Sequence, residues 1–86
     1  MAKILMYSTD PCSFCSSAKR LLATRAIVYE EVNLAKDPDG RMELAQRTGM
    51  MSFPQIVVDG ELLGGFRELA LADQSGRLSE LVADAA

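Results

Sequence analysis

Histidine is absent from this 86-residue chain, and cysteine occurs only twice, at Cys12 and Cys15. Two cysteines are half of a structural zinc site, and no further Cys or His is present to close one. An excess of positive charge is also lacking. Nine Lys and Arg against twelve Asp and Glu give a net charge of −3, whereas a nucleic-acid-binding domain normally carries a basic face. No apolar run approaches the roughly 20 residues of a membrane-spanning helix. The start, Met1-Ala2-Lys3 followed by apolar residues only from Ile4 to Tyr7, does not have the architecture of a secretory signal. A cytoplasmic setting is therefore expected. There is no internal repeat, no linker and no low-complexity segment. With 49% hydrophobic residues, the chain is expected to form a single domain, 1–86, around one modest core.

What the chain does have is concentrated in the stretch Asp10-Pro11-Cys12-Ser13-Phe14-Cys15. It follows a strand-like run, Ile4-Leu5-Met6-Tyr7, and leads into a helical pattern. A CxxC at a strand-to-helix junction puts one thiol where unpaired backbone N–H groups and the positive end of the dipole favour an anion. A thiolate is that anion, and it is the nucleophile of thiol–disulfide exchange. The three-residue spacing also brings the two Cα atoms close enough for a disulfide on the first helical turn. Redox chemistry led by Cys12 is the reading, with Cys15 less exposed inside that turn. Two plainer readings stand beside it. A structural disulfide here would close a small loop and stabilise little through chain entropy. Two buried, inert thiols are the other, since cysteine is often buried. In a reducing cytosol a CxxC is more often catalytic or metal-binding than structural.

The rest of the chain reads as alternating strands and helices. Lys3 to Tyr7 is a short buried strand. From Ser13 to about Arg25, Phe14, Ala18, Leu21 and Leu22 recur at helical intervals. Ala26 to Val32, rich in Ile, Val and Tyr, reads as a second strand. Asp37-Pro38 is a helix start, with an Asp cap and Pro at the first helical position. That helix runs to about Thr48, with Gly49 as its stop. Gln55 to Val58 and Glu61 to Leu63 are two further strands, joined by Asp59-Gly60 in a type I′ hairpin. Gly64-Gly65 breaks the last strand. Phe66, Leu69 and Ala70, then Leu78, Leu81 and Val82, mark two short helical segments separated at Ser75-Gly76. The order is β-α-β-α-β-β-α with a split last helix. A right-handed parallel βαβ half and an antiparallel hairpin half make one mixed sheet with helices on both faces.

Three landmarks in this order resemble the glutaredoxin family, the small thioredoxin-fold thiol–disulfide oxidoreductases that use glutathione. Cys12-Ser13-Phe14-Cys15 resembles the family's CPYC motif after the first strand. Ser52-Phe53-Pro54 resembles its TVP motif, which carries a cis-proline before the third strand. Gly64-Gly65-Phe66-Arg67-Glu68-Leu69 resembles its GG-x-D-D-L turn into the last helices. The resemblance covers the whole chain. It implies an α/β, thioredoxin-like fold with a four-stranded mixed sheet, and Cys12 and Cys15 as the catalytic pair. It further implies a substrate site from Thr9, Phe14, Arg47, Phe53, Pro54, Gly65, Phe66 and Arg67. A cis bond before Pro54 would turn the Phe53 backbone toward the active-site sulfur, where it can pair with a bound thiol peptide as a strand does. The glycine turn would leave the N–H groups of Phe66 and Arg67 free to take a carboxylate, in the family the γ-glutamyl end of glutathione.

The chain departs from the family pattern at several charged positions. Thr9 stands where many members have Lys, and Met50 and Met51 where many have a basic residue. Arg67 stands where the family usually has Asp. Arg47 and Arg67 are the cations that could replace the missing charge. Asp10 lies close in sequence to Cys12 and would oppose the helix terminus by raising the thiol's pKa. Ser13 replaces the family's Pro. It can serve simply as a capping residue, but in the family loss of that Pro accompanies, in some members, a [2Fe–2S] cluster bridged between two subunits by the first Cys and glutathione.

The resemblance implies a glutathione-dependent oxidoreductase that reduces glutathione mixed disulfides through Cys12 alone and protein disulfides through Cys12 and Cys15. It needs no resident metal. Its partners would be glutathione and glutathionylated or disulfide-bonded proteins, and the chain would be a monomer unless a cluster bridges two copies. The alternatives are a dimeric [2Fe–2S] carrier with Cys12 as ligand, or the same chemistry with another low-molecular-weight thiol.

Overall fold

The computed structural model describes residues 3–83; Met1, Ala2 and the side chain of Val82, considered above, lie outside that description. The chain order is β1 (Ile4–Ser8), α1 (Ser13–Thr24), β2 (Glu30–Asn33), α2 (Pro38–Thr48), β3 (Gln55–Val58), β4 (Glu61–Gly64), α3 (Phe66–Ser75) and α4 (Arg77–Ala83). The four strands form one sheet in the order β2-β1-β3-β4. β1 runs parallel to β2 and antiparallel to β3, and β3 runs antiparallel to β4. This is the mixed sheet that the sequence implies.

Alternation along β1 sorts the two faces. Ile4, Met6 and Ser8 are buried, and Leu5 and Tyr7 between them are half-buried. The buried set joins Ile56 and Val58 of β3 to Ala18 and Leu22 of α1, Leu69 and Ala72 of α3 and Leu78 of α4. That is the main core. α2 lies over the other face, where Leu5, Tyr7 and Val57 approach Leu44, its one buried residue. Its start follows the expected chemistry: Pro38 sits in the first turn and the Asp37 carboxylate accepts the Gly40 N–H at 2.9 Å. Its stop is Gly49 at φ 76°.

β1 is shifted by one residue from the Lys3–Tyr7 expected, β4 includes the Gly64 expected to break it, and the largest departure from the sequence reading is in β2. The second strand is shorter and later than Ala26 to Val32, because α1 ends in a left-handed turn. Ala26 adopts φ 56°, its N–H donates to the Ala23 carbonyl, and the Ile27 N–H reaches back to the Leu22 carbonyl at 2.9 Å. This crossed pair satisfies the helix's last carbonyls and occupies the residues that strand propensity had claimed. Val28 is consequently 78% exposed. Ile27 and Tyr29 still pack against the core, but from a connecting segment. The hairpin is as expected at its tip, with Asp59 and Gly60 both at positive φ as type I′ requires. Its far end contains a bulge between Ile56 and Val57, so that Ile56 pairs with Gly64. Among the described residues no helix is long and apolar enough to cross a membrane.

Candidate active site

Cys12 lies just outside α1, as its N-cap, in extended backbone conformation. Its carbonyl accepts the Ser16 N–H, the first bond of the helix. Its sulfur accepts the Cys15 N–H at 3.2 Å. A side chain that accepts from the third helical residue satisfies one of the four orphan donors of a helix start, a position normally taken by Ser, Thr, Asp or Asn. Here sulfur takes that position, and the donor belongs to the other cysteine. Cys15 itself is 2% exposed, while Cys12 is half-buried. The two are paired as a disulfide with Cα atoms 5.2 Å apart. The half-buried Cys12 is thus the member more open to solvent, and the buried Cys15 is its bonded partner.

The loop before β3 supplies the opposite wall. The Phe53-Pro54 bond is cis, as the resemblance implies, and the Phe53 carbonyl lies 3.8 Å from the Cys12 sulfur. Sequence reasoning did not anticipate how this loop is held. Gln55 is fully buried, and its Nε2 donates to the Met50 carbonyl at 3.0 Å and the Ser52 carbonyl at 3.1 Å. A buried amide side chain at a strand start, next to Pro54, was the only sequence signal.

The third wall is the turn from β4 into α3. Gly64 has φ 134°, and a Cβ there would fall 2.6 Å from the Glu68 side chain. Gly65 approaches the Pro54 carbonyl, which a Cβ would meet at 3.4 Å. Gly64 is therefore required by geometry, through conformation and contact together, whereas Gly65 only lies in ordinary contact with the Pro54 carbonyl. Glu68 folds back so that its Oε1 accepts the Gly65 N–H at 2.8 Å, which leaves Phe66 and Arg67 as the first helical N–H groups. Phe66 stacks on Phe14, the third residue of the CxxC, with ring centroids 6.1 Å apart. Such a pair ties the cysteine turn to the glycine turn, which sequence spacing did not reveal.

Together these walls enclose a groove of about 290 Å³ lined by Phe14, Phe53, Pro54, Gly65, Phe66 and Arg67, among others. Six of the eight expected substrate residues are thereby gathered in one place. Thr9 follows β1, half-buried, and is not among the groove's lining residues. Arg47 points into a different recess, on the α2 face of the sheet, with Leu5, Tyr7 and Leu62. Asp10, which the sequence places near Cys12, is held by β2: its Oδ2 accepts from Asn33 Nδ2 at 2.8 Å. The preceding Asp10-Pro11 bond is also cis.

Below the cysteines, a polar network joins α1 to the sheet. Ser8, fully buried, donates to Glu31 Oε2 at 2.6 Å, and Lys19 Nζ lies 2.8 Å from the same oxygen. The Lys19 hydrogen bond, with the Ser8 one, holds the Glu31 carboxyl below its ordinary range, and the same contact raises the Lys19 amine.

The bridging-cluster alternative gains no support from this site. Among the described residues no three His, Cys, Asp or Glu side chains gather to hold a metal ion. Cys12, the more accessible of the two cysteines, is paired with Cys15.

A four-stranded mixed sheet with a CxxC at the head of its first helix, faced by a cis-proline loop, defines a thioredoxin-like thiol–disulfide oxidoreductase. The comparisons make the class specific. The Glutaredoxin family profile matches residues 4–63. Glutaredoxin 3 of Escherichia coli K12 is 30% identical over 82 residues, covering 95% of this chain and 99% of its own. Among solved structures, the glutaredoxin of Brucella melitensis superposes with a TM-score of 0.85 at 30% identity, covering 95% of this chain and 89% of its own. Oxidized glutaredoxin 2 of Chlamydomonas reinhardtii gives 0.86 at 32%, covering 98% and 82%. The chain belongs to the glutaredoxin family.

Proposed function

We propose that this chain, as one glutaredoxin domain, reduces glutathione mixed disulfides through Cys12 alone and protein disulfides through Cys12 with Cys15. The observation that carries the reading is the Cys12 sulfur capping α1 while it faces the Phe53 carbonyl. In the reduced protein the Cys12 thiolate inherits the Cys15 N–H as donor and the helix terminus as its electrostatic partner. That thiolate attacks the glutathione sulfur of a mixed disulfide. A new S–S bond forms to Cys12, the old one breaks, and the substrate leaves as a thiolate that takes a proton from water. A second glutathione thiolate then attacks the Cys12-bound glutathione sulfur, releasing oxidised glutathione and restoring Cys12.

With a protein disulfide, Cys12 attacks one sulfur and expels the other. Cys15 then loses its proton and attacks Cys12, forming the Cys12–Cys15 bridge and freeing the second substrate thiol. Two electrons pass from the dithiol to the substrate, and two glutathiones return them. Burial keeps Cys15 away from competing partners until this step.

The groove suits an extended thiol peptide. Its backbone can pair with Phe53, and a carboxylate can reach the Phe66 and Arg67 N–H groups, with Arg67 adding charge. That Arg67 lines the groove, while Arg47 lines another recess, supports Arg67 over Arg47 as the contributing cation. Because Thr9, Met50 and Arg67 depart from the family pattern, the reductant is tested directly. Turnover of a glutathione mixed disulfide is measured with glutathione and with other low-molecular-weight thiols, in wild type, Cys12→Ser and Cys15→Ser. Cys12→Ser should be inactive, while Cys15→Ser should keep mixed-disulfide reduction and lose protein-disulfide reduction. Equal losses in the two variants would refute the single-cysteine route.

A further inference from the structure

Phe53 has a second neighbour besides the groove. It also ends a larger recess, of about 490 Å³, that runs along α2. Pro38, Met42, Ala45 and Gly49 recur in its wall at three- and four-residue intervals, so they form one stripe of the helix. Eleven helical residues span about 16 Å at 1.5 Å each. That length matches about five residues of extended polypeptide.

The recess is apolar where it meets the active site. Met51 is 86% exposed and Met42 64%, two large side chains left in water that contribute nothing to the core. Arg41, the cation in its wall, is tied down: its guanidinium donates to the carbonyls of Leu34 and Ala35. Methionine is flexible and polarisable, and adapts to varied apolar partners. Glutathione, made of two short acidic or unsubstituted residues around its cysteine, carries no large apolar side chain to fill such a space. A folded or extended protein segment does.

We propose that the Met42–Met51–Phe53 recess seats an apolar side chain of a polypeptide substrate, within a few residues of the half-cystine that Cys12 attacks. The inference rests on the disulfide-reducing function above and names the protein substrates it favours. Continuity supplies the geometry, since Phe53 faces Cys12 through its carbonyl and lines both spaces. The chemistry is that of the two-cysteine route: the substrate disulfide becomes two thiols and the Cys12–Cys15 pair becomes a disulfide. The recess sets which cystines arrive.

Three substrates test this with glutathione as reductant: a disulfide-linked peptide with Leu beside its cysteine, the same peptide with Ser there, and a small glutathione mixed disulfide. Wild type is compared with the double variant Met42→Gln/Met51→Gln. Wild type should favour the Leu peptide in kcat/KM by about tenfold, the discrimination a hydrophobic pocket gives, and the double variant should fall to about twofold or less. Its rate on the small mixed disulfide should stay at the wild-type level. Met42→Leu/Met51→Leu should keep the preference, which separates lost apolar contact from any loss of folding. A wild type indifferent to the flanking residue, or a double variant that retains the preference, overturns the recess proposal while disulfide reduction stands. No turnover of any of the three by wild type overturns both readings.

Discussion

Gln55 donates from its buried side chain to the backbone carbonyl of Met50, 3.0 Å away, and so fastens the loop that carries Phe53 to the strand that follows it. The same nitrogen reaches Ser52. With these two bonds the Phe53 carbonyl is held facing the Cys12 sulfur by the interior of the sheet rather than by the loop itself. Gln55 Oε1, in contrast, is buried without a hydrogen-bond partner.

Gln55→Leu removes the donor and leaves the Met50 and Ser52 carbonyls without it. The expected loss is about 1–3 kcal/mol of stability for a buried acceptor left unpaired, eased by the disappearance of the orphan Oε1. Denaturant unfolding measures it. Turnover of a small mixed disulfide, measured where the variant is still folded, should also drop, because the Phe53 loop is released. Unchanged stability together with unchanged turnover would show that the loop does not depend on Gln55.

Thr9→Lys restores a positive charge that many glutaredoxins place three residues before the first cysteine. A lower KM for a glutathione mixed disulfide is the expected outcome, with kcat little changed. An exposed charge contact is worth about 0.2–1 kcal/mol, so the KM should fall by no more than about fivefold. Arg67→Ala should move KM the other way. If neither substitution alters KM, charge recognition of the co-substrate does not reside at this groove.

Glu31 makes stability depend on pH. Lys19 and then Ser8 hold its carboxyl below the ordinary value of 4.5 in the folded protein. Stability from the pair is therefore fully present above the unfolded value and is lost as pH falls through the lower folded value. Lys19 behaves in the opposite sense. Its raised amine contributes below its ordinary 10.5 and is lost as pH climbs past the folded value. The pair is partly exposed, so after solvent screening each end amounts to under about 1 kcal/mol. Glu31→Gln should flatten the acid limb of a stability profile measured from about pH 3 to 6, a window that brackets the ordinary value of 4.5. An unaltered acid limb would assign that pH dependence to other carboxylates.

Ala26→Gly should stabilise the protein. Ala26 holds φ 56° at the end of α1, a conformation that costs an L-residue about 1–2 kcal/mol. Glycine returns about 0.5–1 kcal/mol of that as chain entropy in the unfolded state. A net gain of up to about 1 kcal/mol follows, visible as a higher denaturation midpoint with the same slope. A lower midpoint would mean that the turn holds its shape through the Ala26 methyl group.

The local events of this fold were legible in the chain itself. Asp37-Pro38 starts a helix, Gly49 ends it, and Asp59-Gly60 makes a hairpin, because each depends on backbone chemistry within a few residues. The pairing of Cys12 with Cys15 at the head of α1 was legible for the same reason: their spacing and the helix that follows define the geometry. The second strand was misplaced for a complementary reason. Ala26, Ile27 and Val28 have strand-forming or neutral side chains, but the last carbonyls of α1 needed donors, and the N–H groups of Ala26 and Ile27 met that need first.

Tertiary structure alone decided what surrounds the sulfur. Phe14 and Phe66 are 52 positions apart by their numbers and meet only because the fold brings the start of α3 beside the start of α1. Arg47 and Arg67 were equivalent as candidate cations in sequence, and the sheet separated them, placing Arg47 on the α2 face and Arg67 in the groove. Gln55's partners, Asn33's hold on Asp10 and the recess beside Met51 are all products of which strand lies next to which. Sequence determines the conformations that short-range sterics and hydrogen bonding fix within a turn or two. Contacts between distant residues are fixed only once burial of the core selects one packing of the sheet and helices.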